Sequence, residues 1–322
     1  MILILTCVDD PTTDAVAHEL ARTGARVVRM DVGDFPARMG LVAEHGGDQW
    51  GARLVLDGQV VELAQVTAVY YRRPTMFSLA RHLEGQAQVV AREEARLGFG
   101  GVLAAGTRGA RWVNDPAMIA RAEYKPLGLQ IAAEVGLRIP RTLVTNDHAE
   151  LVRFADELNG GGVLVKQLSA ISMRDETGPL LAYSTPIDVA EVSSEDVATT
   201  AHLFQEWIDK QFEVRLTLVG GIPFAAAIHA MSERALIDWR SDYGSLRYEQ
   251  ISVPVEVASA CVRYLEALGL RYGAFDFVVT PSGDWVMLEC NPHGQWLWIE
   301  HATGLPIAAA LAELLNREEG TG

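Results

Sequence analysis

The chain has 322 residues, 49 % of them apolar, which suffices for two or three packed lobes and is too apolar for a disordered protein. Its formal net charge of −15 excludes a broad nucleic-acid or anionic-membrane surface, so any anionic ligand must be held by a local cluster of cations. The apolar start MILILTC runs straight into Asp9 and Asp10, and no apolar run approaches the ~20 residues of a membrane span, so no membrane association and a cytoplasmic location are expected.

In chain order, the pattern predicts a buried strand over 2–7, a helix over 13–23 capped by Thr12 or Thr13 and ended by Gly24, and a strand over 26–30. The first turn of this β-α-β opening, TCVDDPTTD, has no glycine where a backbone would approach a pyrophosphate, which discounts a dinucleotide site. WGARLVLDGQVVEL predicts a hairpin through Asp57-Gly58, VTAVYYRRP a strand ending in Arg72 and Arg73, and residues 82–97 a helix. A composition shift follows. Asp115-Pro116 starts a helical stretch that Gly136 stops, a helix is predicted over 148–158, and VLVKQLS after NGGG is a strand. Beyond a polar stretch at 169–196 come the strand HLFQEWI, a hairpin through Gly220-Gly221, a helix over 255–268, a second hairpin, and a helix from about 305. Cys7, Cys261 and Cys290 are odd in number and unpaired by spacing, so they are expected to be buried packing residues rather than a disulfide or zinc set.

Lysine occurs only at 125, 166 and 210 among 27 basic residues. Each is a candidate for a place that wants a compact point charge rather than a planar fork, with chance as the alternative. In AFDFVVTPSGDWVMLECN, pairing Thr280 with Trp285 leaves a four-residue loop and sets Asp276 opposite Glu289. Asn291 shares the face of Glu289 because strand side chains alternate, and Cys290 takes the core face. Three oxygen donors without histidine or thiol suit Mg²⁺, and a solvated sheet edge is the alternative. FQEWI, EVR and DWR add an apolar slot, a hinge, a carboxylate and arginines in the order a nucleotide site needs.

From about residue 114 to 318 this constellation resembles the ATP-grasp superfamily. More narrowly, VYYRRPT, NDP followed by AEYKPLGLQIAAEVGLRIPRTLVTN, and NPHGQWLWIE resemble the ATP-grasp maturases of ribosomal peptides, the graspetide synthetases. The resemblance implies an α/β chain of α+β lobes: a pre-grasp domain over 1–113, a central lobe over 114–205 and a C-terminal lobe over 206–322. It implies ATP and Mg²⁺, two ions, as cofactors. Lys125 and Lys166 then take phosphate and adenine-side roles, and Gln205, Glu206, Trp207 and Ile208 form the adenine hinge. Glu213 takes the ribose, Arg215 and Arg240 bind phosphate or substrate carboxylate, and Asp276, Glu289 and Asn291 form the metal triad. The segment after Lys166, QLSAISMRDETG, departs from the family in lacking glycine before Gly178, so its phosphate contacts would fall to Ser169, Ser172 or their backbone.

The implied reaction activates an Asp or Glu side chain of a precursor peptide, with leader and core, as an acyl phosphate. A Thr or Ser hydroxyl or a Lys amine of the same peptide then closes a macrocyclic ester or amide. Lys166, Arg215 and Arg240 would carry the catalytic electrostatics. Arg72 and Arg73 are candidate peptide contacts or a structural strand end, and Trp296 and Trp298 candidate groove or core residues. Asp238 is a candidate base or a solvated loop carboxylate, while His229, His293 and His301 have no metal-ligand spacing. A homodimer is implied by the resemblance. The alternatives are an amino-acid ligase of the kind that appends glutamate to a protein or small molecule, and a nucleotide-binding regulator without catalysis.

Overall fold

A computed structural model describes residues 1–169, 173–175, 178–180 and 184–317. Strand β1 (Ile2–Leu5), helix α1 (Pro11–Arg22) and strand β2 (Val27–Met30) form the predicted opening unit. The helix starts two residues early because Asp10 is its cap, accepting from Thr13 N at 3.3 Å, with Pro11 in the first turn. Strands β3 (Met39–His45), β4 (Trp50–Leu56) and β5 (Gln59–Glu62) make an antiparallel sheet. The predicted hairpin is β4–β5, turning on Asp57 and Gly58 at φ 49° and 81°, and β3 extends it.

Strands β6 (Ala68–Tyr71) and β7 (Arg111–Val113) complete a parallel sheet of order β2-β1-β6-β7. Between them, helix α2 (Gly85–Gly106) runs nine residues past its predicted end despite four glycines. Ala95, Phe99 and Leu103, four apart, bury one stripe, and a Cβ at Gly106 would lie 2.8 Å from Leu63, so close packing overrides weak helix propensity.

Pro126 splits the next predicted helix into α3 (Pro116–Ala122) and α4 (Lys125–Glu134), leaving Lys125 at the head of the second. Strand β8 (Thr142–Thr145), helix α5 (His148–Glu157) and strand β9 (Val163–Lys166) follow. The polar span holds short strands β10 (Met173–Asp175), β11 (Gly178–Leu180) and β12 (Thr185–Ile187), then helix α6 (Ser194–Val197). Strand β13 (His202–Glu206) joins β12, β9 and β8 in an antiparallel sheet of order β12-β9-β13-β8.

The remaining elements are β14 (Phe212–Val219), β15 (Ile222–Ala230), α7 (Glu233–Ile237), β16 (Leu246–Gln250), α8 (Val255–Leu268), β17 (Tyr272–Val279), β18 (Trp285–Asn291), α9 (Leu297–Thr303) and α10 (Ile307–Asn316). Their sheet runs β16-β15-β14-β17-β18, and β17 is buried at every position. One face packs Phe275, Phe277 and Met287 against Ile131, Tyr264 and Leu265 of α4 and α8. On the other side, a single core joins Ile2, Ile4 and Leu20 of the opening unit to Trp296, Ile307 and Leu311. The N-terminal sheet is therefore welded to the C-terminal segment by shared apolar burial. Among the described residues no helix is long and apolar enough to cross a membrane. The cysteines are all free; Cys261 is buried as expected, while Cys7 and Cys290 are half-buried.

Candidate active site

The terminal hairpin places its oxygens through an irregularity that alternation alone does not foresee. Near the turn the observed pairs are Val279–Trp285, Val278–Val286 and Phe277–Met287, one residue off the predicted register. The ladder then shifts, leaving Leu288 as an extra residue, and Asp276 pairs with Glu289 as predicted. This β-bulge reverses the phase of β18. Trp285 and Met287 face the apolar core with Phe277, whereas Glu289 and Asn291, also odd-numbered, turn to the face of Asp276. A greasy strand thus ends in two oxygen donors aimed away from its own core.

Those oxygens meet a ring of cations in a cleft of about 920 Å³, within the range of small-molecule sites. All three lysines line it. Lys125 Nζ is 3.0 Å from Glu289 Oε2, and Arg240 Nη1 is 3.7 Å from Oε1. Burial pushes the Glu289 carboxyl up, but Lys125, Arg240 and Lys166 outweigh it and hold the group at about 2. Burial raises the neighbouring Asp276 carboxyl, against the pull of Arg215. Lys210 Nζ lies 2.6 Å from Glu213 Oε1, and burial nonetheless keeps Glu213 above the ordinary range. Lys166 has no ion-pair partner among the described residues. Its ammonium is lowered to about 8, by burial first and then by Lys125 and Arg240, with Glu289 opposing.

The hinge is built by backbone stitching. Glu206 N donates to Arg141 O at 3.0 Å, Trp207 N donates to Gly162 O at 2.8 Å, and the Glu206 carboxylate accepts from Arg141 N at 2.7 Å. Glu206 therefore fixes the hinge with its side chain, leaving the backbone through Ile208 along the cleft. Gln205, 2 % exposed, donates to Thr142 Oγ1 while its Oε1 has no partner. Trp207 packs under the Lys210 ammonium, 5.4 Å from ring centre to Nζ.

Four expectations need correction or refinement. Trp296 does not line a groove: it is fully buried in the core shared with the N-terminal sheet. Arg72 is also buried, donating to His293 O and to Gln295 Oε1, whereas Arg73 is exposed. Arg215 does not line the cleft but stands behind Asp276, its guanidinium 5.6 and 5.9 Å from the Trp239 and Trp298 rings, which pack on one another at 4.9 Å. Its Nε is 3.3 Å from Asp276 Oδ1 yet misaligned, so both atoms lack a hydrogen bond. Asp238 is no solvated loop carboxylate. It is 4 % exposed, forked by Arg240 through two 2.9 Å bonds and bonded by Ser184 N, and these contacts hold its carboxyl low against the upward push of burial.

The orphaned, buried Asp276 Oδ1, together with Glu289 and Asn291 on the same face, fits a hard divalent cation that takes oxygen ligands. Ser169 lines the cleft, while Ser172 lies outside the described residues. Sequence reasoning gave Lys210, Trp239 and Asn114 no role. The rarity of lysine marked Lys210 as a candidate point charge without assigning its partner; nothing local in the sequence gives the other two a role.

Residues 1–120 match the model of the MvdD pre-ATP grasp domain. The crystal structure of macrocyclase MdnB from Microcystis aeruginosa MRC is 30 % identical, with coverage of 98 % of this chain and 99 % of that one and a TM-score of 0.82. Macrocyclase MdnC from the same organism, bound with precursor peptide MdnA, is 27 % identical over 98 % and 99 % of the two chains, with a TM-score of 0.83. A probable alpha-L-glutamate ligase of Rhodopirellula baltica is 25 % identical over 211 residues, 64 % of this chain; the match spans 50 % of that relative's length. A relative 30 % identical and matched nearly end to end, joined to a cleft that gathers the expected nucleotide and cation residues, places the chain in the ATP-grasp macrocyclases of ribosomal peptides, the graspetide synthetases.

Proposed function

We propose that this protein is an ATP-dependent carboxylate ligase that activates Asp or Glu side chains of a ribosomal precursor peptide and closes ester or amide rings on Thr, Ser or Lys. The observation that carries it is the convergence of Lys125, Lys166 and Arg240 with Asp276, Glu289 and Asn291 in one cleft. Bound ATP supplies the phosphoryl group that makes the carboxylate oxygen a leaving group, and Mg²⁺, two ions in this reading, neutralises charge during that transfer. Lys125 and Lys166 hold phosphate, Arg240 draws the substrate carboxylate to the same place, and Glu213 takes the ribose. Arg215, packed against two indoles, opposes with its charge the rise that burial forces on the Asp276 carboxyl. Positive charge fixed in advance is what lets two anions approach one another. Asp238, already engaged, serves Arg240 rather than acting as a base. Recognition of a leader segment and homodimeric association are further parts of this reading.

Glutamate-appending ligases use the same nucleotide chemistry, and the matched relatives of that name make it the second reading. Incubation with ATP, Mg²⁺ and the precursor peptide encoded nearby, followed by mass spectrometry, separates the two. Macrocyclisation removes one water per ring and requires nucleotide; a gain of glutamate residues with no ring would favour the ligase reading.

Lys166 gives a pH signature. Phosphate favours its charged form, so nucleotide affinity is expected to be complete below about pH 8 and to fall by up to about ten-fold per unit above it. Calorimetry of an ATP analogue across that window should show the decline, and Lys166→Met should flatten it. A wild-type profile with no decline would contradict the placement of phosphate at Lys166.

A further inference from the structure

The turn that follows Asn291 is held by three successive carbonyls, each on a buried donor. Pro292 O accepts from Asn114 Nδ2 at 2.6 Å, His293 O from Arg72 Nη1, and Gly294 O from Tyr272 Oη at 2.7 Å. Arg72, Asn114 and Tyr272 are 4 %, 2 % and 4 % exposed. Asn114 spends its whole hydrogen-bonding capacity here, also donating to Tyr272 O and accepting from Arg271 N and Tyr272 N. Gly294 N closes the turn on Asn291 O at 3.2 Å. A Cβ on Gly294 would stand 2.6 Å from Ala274 and 3.0 Å from Asn291, so the turn tolerates no side chain there.

Arg72 comes from the other end of the molecule. It follows β6, and its N donates to Leu5 O at the end of β1. The chain leaves β1 toward β2 on one side while β6 lies on the other, so Arg72 sits at the point where the order of the parallel sheet reverses. In open parallel sheets this crevice is where ligands are held. In this protein it receives the turn instead: Gln295 Oε1 accepts from Arg72 Nη2 at 2.8 Å and from Thr12 Oγ1, at the head of α1, at 2.9 Å.

We propose that the N-terminal sheet grips the Pro292–Gln295 turn as an internal ligand and thereby presets Asn291 for cation binding, making Arg72 a positioning residue rather than a peptide contact. The proposal rests on Asp276, Glu289 and Asn291 being cation ligands. Groups that orient a metal's ligands typically contribute 10–100-fold to metal affinity, and an asparagine side chain on a loose turn would lose that preorganisation.

The test is calorimetric titration of a nonhydrolysable ATP analogue at a series of Mg²⁺ concentrations, on wild type, Arg72→Met and Gln295→Leu. Arg72→Met is expected to raise the Mg²⁺ needed for half-maximal tightening by about ten-fold or more, with nucleotide affinity in chelator unchanged and peptide KM at saturating Mg²⁺ unchanged. Gln295→Leu should shift the same midpoint in the same direction by less. Because Gln295 is exposed, that variant decides the matter alone if Arg72→Met does not fold. An unmoved Mg²⁺ midpoint in the folded variants would overturn the proposal, and a raised peptide KM beside it would return Arg72 to peptide binding. Wild type whose nucleotide affinity ignores Mg²⁺ would remove the cation site itself, and the proposal with it.

Discussion

Glu289→Gln is expected to lower turnover by at least about 10³-fold while leaving a folded protein. The substitution keeps shape and removes charge. Glu289 is the carboxylate on which Lys125 at 3.0 Å and Arg240 at 3.7 Å converge, and it is ionised throughout the working range because those cations and Lys166 outweigh its burial. A neutral amide at this position can neither balance the ring of lysines nor hold a divalent cation as a carboxylate does. Arg240 retains its fork on Asp238, so the cleft wall has no new unpaired arginine. Turnover with peptide and a circular-dichroism melt should be measured on one preparation. Near-normal turnover would refute the assignment of Glu289.

The second large effect is expected at Arg240. Arg240→Met should cut turnover by on the order of 10²–10³-fold and also destabilise the fold by roughly 2–3 kcal/mol, less than for a fully enclosed pair because a third of the Arg240 side chain is exposed. The loss comes from Asp238, which is 4 % exposed and would keep a buried charge without its fork. In the native protein the Asp238 carboxyl is held low, so the pair contributes above the unfolded carboxylate pKa of about 3.9 and fades as acid protonates it. The variant should accordingly lose least stability in acid. Adding Asp238→Asn to Arg240→Met should restore the melting temperature and leave turnover low. Recovery of both would assign Arg240 to the fold and not to the reaction.

The site was legible wherever chemistry is local. Rarity singled out three lysines, and all three line the cleft. Counting along a hairpin paired Asp276 with Glu289, though by two compensating differences: Thr280 closes the turn on Asp284 rather than on Trp285, and the Leu288 bulge restores the register beyond it. Val286, Met287 and Leu288 are an unbroken apolar run, which gives no period from which a bulge is read. What stayed illegible depends on docking between distant segments. Arg72 follows an ordinary strand, and its burial arises only because a turn more than two hundred residues later lands on it. Trp296 and Trp298 differ by two positions, yet one is core and the other packs beside Arg215, because the chain begins a helix between them and strand alternation no longer applies. Helix α2 likewise outran its glycines through contacts with the β3–β5 sheet, which propensity does not contain.

The central claim is that two adjacent strands of one hairpin hold divalent cations against a nucleotide's terminal phosphates. A crystal structure with Mg²⁺ and a nonhydrolysable ATP analogue tests it most directly. The account predicts cation density within coordination distance of Asp276, Glu289 and Asn291, shared with phosphate oxygens that also reach Lys125 and Lys166. Nucleotide bound with those three side chains turned apart and no cation between them would contradict it.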